Sequence, residues 1–222
     1  MSDPLKGSGM EPHPRPAIEE PGPEARKRRD IIDGARRVFF DKGFDAASMD
    51  AIARAASVSK ATIYVYFPSK ADLFGALVEV DRKQSAERLF EFDPRDVDLE
   101  RQLLRIGVSF MTMMVRPDHI RLVRMVIGVA EKFPAVGRTF FETGPTHGGR
   151  RLGELIARHV ELGRLEVDDC EAAAFEFLNL CQGNLVKGLL FGMLETPQPM
   201  DIESQVARAV RVFLAAYGVK AA

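Results

Sequence analysis

SMDAIARAASVSKATIYVYFPSK, Ser48 to Lys70, is the passage whose residue order decides the fold. A short Ala-rich segment opens behind Ser48, breaks at Ala56-Ser57-Val58, and is followed by a second short segment behind Ser59. A serine before each segment offers an N-cap oxygen to the orphan N–H groups of a helix start. Ile52, Ala53, Ala56, Val58, Ile63 and Phe67 then fall on one inner seam, with Ala53 small enough for two helices to approach. The pattern predicts a helix-turn-helix.

At 3.6 residues per turn, Ile63 and Phe67 facing inward leave Ala61 and Val65 facing outward, with Thr62 and Tyr64 beside them and Lys60 on the first turn. Such a face suits a DNA major groove: methyl-bearing Ala61 and Val65 against thymine methyls, Lys60 or Thr62 on base edges, Tyr64 on a phosphate. The expected DNA-binding set is Ser48, Ser59, Lys60, Ala61, Thr62, Tyr64, Val65, Tyr66 and Lys70, the last as a phosphate anchor at the start of the next helix.

VSKATIYVYFPSKADL, preceded by a basic helix and FFDKGFDAAS, resembles the DNA-binding segment of the TetR family of transcriptional regulators over Arg28 to about Phe74. The resemblance implies a dimeric, all-helical repressor released from DNA by an inducer. One departure stands out, because the family's turn commonly carries Gly where this chain has Ser57; a left-handed Ser there costs roughly 1 kcal/mol. IRLVRMVIGVAEKFPAVGRTFFETGP, Ile120 to Pro145, resembles the ligand domain of the AefR-like branch.

The chain has 222 residues and a net charge of −1, unevenly spread. From Arg26 to Lys70 ten cations face five anions, about +5, leaving about −6 for the remainder. Positive charge on the helix-turn-helix favours a phosphate-facing surface. Arg26 to Arg29 can serve either as a helix start or as a basic arm on DNA. Signal-peptide character is missing from the Pro-rich start, and the most apolar helix is interrupted by polar residues, so a cytoplasmic protein with no membrane contact is expected. Cys170 and Cys181 are eleven residues apart on one predicted helix, about 16 Å, too far to pair within a chain.

The predicted fold is all-α. A Pro-rich disordered tail (1–23) precedes a three-helix head (24–70), with helix 1 ending near Lys42 at a Gly43 cap. A long helix running to about Phe92 joins the head to a larger helical ligand-binding and dimerisation domain (71–222). Its helices are placed at about Leu99 to Val115, Asp118 to Lys132, two starting at Pro134 and Pro145 with Gly144 closing the first, one from Cys170 to about Met193, and one from Met200 to Tyr217. The last two are apolar enough to need a partner, so a homodimer through Leu185, Leu189, Gly192, Val206, Val210, Phe213 and Tyr217 is expected.

The sequence contains no GxSxG, P-loop, HExxH or paired-Cys motif and its four histidines are scattered. Neither an enzyme, a metal nor a cofactor is therefore expected. For an effector pocket, which rests mainly on the resemblance, the candidates are Phe110, Met111, Met114, Met125, Phe140, Phe141, His147, Phe175 and Leu178, a set that favours an apolar or aromatic ligand. The expected function is a ligand-responsive regulator on a pseudopalindromic double-stranded operator. The alternatives are a DNA-binding regulator under partner or redox control and, behind it, an enzyme on a helical scaffold.

Overall fold

The computed structural model describes residues 22–89, 98–195 and 197–219, and from 84 to 89 the backbone alone. The Pro-rich tail, the expected end of helix 4 near Phe92 and the break that follows it lie outside the described residues.

The architecture is all-α, as the periodicity predicts. Helix α1 (Pro23–Ala46) buries Ile31, Ile32, Ala35, Val38 and Phe39, and its regular turns stop at Gly43, whose φ of 77° and ψ of 172° suit glycine alone. Helices α2 (Met49–Ala56) and α3 (Lys60–Tyr66) start as expected. Ser48 Oγ accepts from the Ala51 N–H at 3.2 Å and Ser59 Oγ from the Thr62 N–H at 3.0 Å. Between them Ser57 takes the left-handed conformation (φ 55°, ψ 39°), and the Val58 N–H closes back on the Ala53 carbonyl at 3.0 Å. Helix α4 (Lys70–Leu89) begins behind Ser69, whose hydroxyl bonds Asp72.

The core of the head does not end at Lys70. Phe39, Ile52, Ile63, Phe67 and Phe74 share one cluster with Leu122 and Val126 of α6 (Pro117–Ala130) and Val136 of α7 (Pro134–Phe141). Phe44, just past the Gly43 turn, joins the parts, with its ring 5.3 Å from that of Phe74 and 5.6 Å from that of Phe133. Burying each such side chain contributes about 1.5–3 kcal/mol, so the head is welded to α4, α6 and α7.

A second core joins α5 (Leu99–Met114), α8 (His147–Glu161), α9 (Cys170–Gln182), α10 (Leu185–Leu190) and α11 (Pro199–Tyr217). Phe177 and Phe213 meet edge to face at 5.4 Å. Alpha carbons approach closely where Gly107 faces α11, since a Cβ there would lie 2.5 Å from Val206 Cγ1.

Three expectations need correction. Pro145 does not begin a helix and Gly144 does not end one: Glu142–Thr146 is a π turn that carries α7 directly into α8. The single helix expected from Cys170 to Met193 breaks at Gly183 (φ 47°), and Gly192 (φ 71°) ends α10 as a left-handed cap instead of marking a helix contact. Leu189, Val206, Val210 and Phe213, expected at a dimer surface, are buried inside their own subunit, Phe213 being only 1% exposed. A side chain already covered has no area left for a partner. Leu185 and Tyr217 are half-buried.

Candidate functional site

The outward face of α3 is the face the periodicity assigns. Ile63 is wholly buried and holds the helix, while Val65 is 81% and Tyr64 46% exposed. Exposure of this kind also occurs elsewhere on the surface, as at Phe191 and Met193, so the place of Val65 on the outer face of a helix-turn-helix is what singles it out. Ala61 is exposed beside Val65 and Tyr64. Lys60 is exposed too, held loosely by Asp50 at 3.1 Å. Thr62 is half-buried and its hydroxyl is engaged by Ser59 Oγ at 2.7 Å, and Tyr66 packs partly against the head core.

Lys70 has a different task from the one expected. Its ammonium donates to the carbonyls of Phe44, Asp45 and Ala47 at 2.7, 3.1 and 2.9 Å and sits 4.5 Å over the Phe44 ring. Three donors meet three acceptors, which leaves none for a phosphate. Lys70 is a clasp between the end of α1 and the start of α4. Arg28 lies 5.2 Å over the Phe67 ring, so part of the basic segment serves the head itself.

Between α4, α5, α6, the π turn and α9 lies a cavity of about 410 Å³. Phe110, Met113, Met114, Phe140, Phe141, Phe175 and Leu178 supply an apolar wall. Its polar end is Arg82 of α4 and His119 of α6, 4% and 5% exposed. Arg82 Nη2 lies 3.3 Å from His119 Nδ1, 3.6 Å from Met113 Sδ and 3.9 Å from Asp81, and the guanidinium stands 5.0 Å over the Phe140 ring. Burial pulls the Arg82 pKa down against the opposing pull of Asp81. Burial first and the Arg82 charge second push the His119 imidazole down to about 3, so that ring is neutral near neutral pH.

With this geometry in hand, the comparisons with known proteins are direct. The model for the C-terminal domain of AefR-like transcriptional repressors matches residues 101–219, and that for bacterial regulatory proteins of the tetR family matches 31–77. The chain belongs to the TetR family of transcriptional regulators. It is 24% identical to the HTH-type transcriptional regulator AcrR of Shigella flexneri over 86% of this chain and 88% of that protein. A TetR-family regulator from Mesorhizobium loti superposes with a TM-score of 0.85 at 25% identity, covering 90% of this chain and all of the other. The flavonoid-responsive regulator FrrA superposes with a TM-score of 0.76 at 32% identity, covering 89% of this chain and all of FrrA.

Both matched domains are thus present, and the candidate residues of the N-terminal one are the more legible in sequence. Of the pocket residues expected, Phe110, Met114, Phe140, Phe141, Phe175 and Leu178 line the cavity. Met111 is buried in the second core, Met125 packs against the head core, and His147 is exposed at the start of α8, so these three fall outside it. Arg82 is not among the sequence candidates and His119 counts there only as one of four scattered histidines, although an arginine among apolar residues on α4 is a signal in plain view. Among the described residues no helix is long and apolar enough to cross a membrane. Burial pushes the Cys181 thiol up to about 12, and burial with Asp169 raises that of Cys170, which argues against a reactive thiolate at either.

Proposed function

We propose that the protein is a homodimeric, effector-responsive repressor whose α3 helices read the two halves of a pseudopalindromic operator. The observation that carries this reading is that one helix joins both regions. Lys70 fastens the first turn of α4 to the head, and Arg82, twelve residues on, forms the wall of the cavity. At 1.5 Å per residue the two lie about 18 Å apart along one rod. A ligand that displaces Arg82 displaces the head. Half-sites are spaced about 34 Å apart or at multiples of it, so a small tilt in each subunit suffices to prevent both heads from docking together.

For the dimer we infer the outer groove between α9 and α11, lined by Glu176, Leu180, Gln205, Arg208, Val212 and Tyr217. Val212 is 47% exposed there, beside Phe213 of the buried stripe, which also lines the groove. The aromatic lining of the cavity favours an effector with an aromatic or otherwise apolar body, and the flavonoid response in the name of FrrA points the same way.

Selection from random duplex oligonucleotides with the full chain, followed by binding titrations with and without candidate effectors, tests the proposal. A two-fold symmetric site whose occupancy falls with an aromatic compound is expected. A selected site without symmetry would end the dimer reading, and no release by any member of a broad apolar library would end the effector reading.

A further inference from the structure

The cavity's polar end carries an unsatisfied demand that its apolar wall does not explain. Among the described residues, Arg82 Nε and His119 Nε2 are buried and have no hydrogen-bond partner. Arginine is a donor only, so the His119 Nδ1 that receives Arg82 Nη2 must be an acceptor, and the neutral ring carries its proton on Nε2. The two orphan atoms are therefore both donors. A buried donor left unpaired destabilises a fold, and two of them on neighbouring side chains of one cavity call for something that accepts.

Charge narrows the acceptor. Asp81 is the carboxylate beside Arg82, at 3.9 Å, yet it is bonded to Arg36 at 2.8 Å. Asp118, the carboxylate beside His119, accepts from that residue's backbone N–H at 2.9 Å and is paired with Arg116 at 3.0 Å, so among the described residues three cations meet two anions here, which leaves about one positive charge at this wall. A water or a neutral carbonyl would fill the donors and leave that charge unanswered. An anion does both.

Resting on the reading of this cavity as the effector site, we propose that its ligand is an amphipathic organic anion. An apolar body lies along Phe110, Phe140, Phe175 and Leu178, and a carboxylate or phenolate oxygen accepts from Arg82 Nε–H and His119 Nε2–H. The fold shows how binding would be felt. The π turn packs over the arginine stem, where a Cβ on Gly144 would come within 3.0 Å of Arg82 Cδ, so a ligand that draws the guanidinium presses on a side chain lying between that turn and α4.

Calorimetric titration with matched pairs tests it: 2-naphthoate against 2-naphthamide, and 4-nitrophenolate, at a pH where it is ionised, against 4-nitroanisole. In the wild type at least one anion should bind about tenfold or more tighter than its neutral partner, and the pair that shows this names the oxygen type. Arg82→Gln should bring the members of each pair within about twofold, and His119→Phe should weaken the anion several-fold while sparing the neutral compound. Equal affinities within both pairs, or a preference that survives Arg82→Gln, would overturn the proposal. The wild-type comparison needs no variant and stands even if Arg82→Gln folds poorly. Operator binding followed in the same samples separates the two readings. Neutral compounds that release DNA while anions do not would end this inference alone, whereas anions that bind without touching operator affinity would end the effector reading and leave only the cavity's preference for anions standing.

Discussion

Helix α4 presents one cation at its first turn and another past its middle, and the fold treats them in opposite ways. At the first turn Lys70 spends all three N–H groups on the carbonyls that close α1, and a ring lies under it as well. Twelve residues later Arg82 is more deeply buried and less well supplied, with one nitrogen lacking any acceptor. A satisfied cation is a structural part, and an unsatisfied buried one is the better candidate for a site. The same distinction applies to apolar groups: Ile63 is covered and holds α3, whereas Val65 is left exposed on the face proposed to meet DNA.

The sharpest way to break this comparison is Lys70→Ala. It removes three charge-assisted hydrogen bonds and a cation–ring contact at a half-buried position, and should lower stability by about 2–4 kcal/mol in urea unfolding. The salt dependence of operator binding should keep its slope in protein that remains folded. A slope reduced by about one unit with stability unchanged would return Lys70 to the phosphate role read from sequence.

Arg82→Leu should move stability the other way. Replacing an incompletely paired buried charge with an apolar side chain is often neutral or stabilising, and here a gain of about 1 kcal/mol is expected without ligand, seen as a higher urea midpoint with an unchanged m-value. A loss as large as that of Lys70→Ala would mean that both cations are structural and that the cavity's polar end belongs to the fold.

Why the sequence revealed one end of the chain and blurred the other follows from the range of the interactions. The caps at Ser48 and Ser59, the Gly43 stop and the inner and outer faces of α3 depend on neighbours within about a turn. The partners of Lys70 lie 23 to 26 residues back, and Arg82 meets His119 across 37. No periodicity reports such pairs. The stripe of Val206, Val210 and Phe213 was correctly read as apolar and assigned to the wrong neighbour, because a helical period says that a face is covered and not by what. Its cover is α5, admitted by Gly107. The π turn at Glu142–Thr146 likewise defeated a reading in which proline and glycine mark helix ends.

Ser57→Gly sharpens the picture of the head as self-satisfied, since this residue is its one visible concession. Among the described residues Ser57 is the one non-glycine with positive φ. Its exposed side chain has no packing to lose, and relief of the left-handed strain should raise head stability by up to about 1 kcal/mol, offset in part by the added freedom of the unfolded chain. A net loss would mean that the Ser57 side chain has a stabilising partner in the turn, which its exposure argues against.

The smallest effect on the fold is expected where the comparison predicts the cleanest effect on function. Val65→Ala removes two methyls from a side chain that is 81% exposed, so no cavity opens. Alanine is the better helix former by a few tenths of a kcal/mol, and thermal unfolding should be unchanged or marginally improved. Operator affinity should nevertheless fall by about 1 kcal/mol or less, the scale of a lost apolar contact with a thymine methyl. The loss should be confined to one symmetric pair of base positions and vanish on operators reselected with the variant. If affinity instead fell equally on every sequence, Val65 would face the sugar-phosphate backbone, and the outward centre of α3 would position the head without reading the groove.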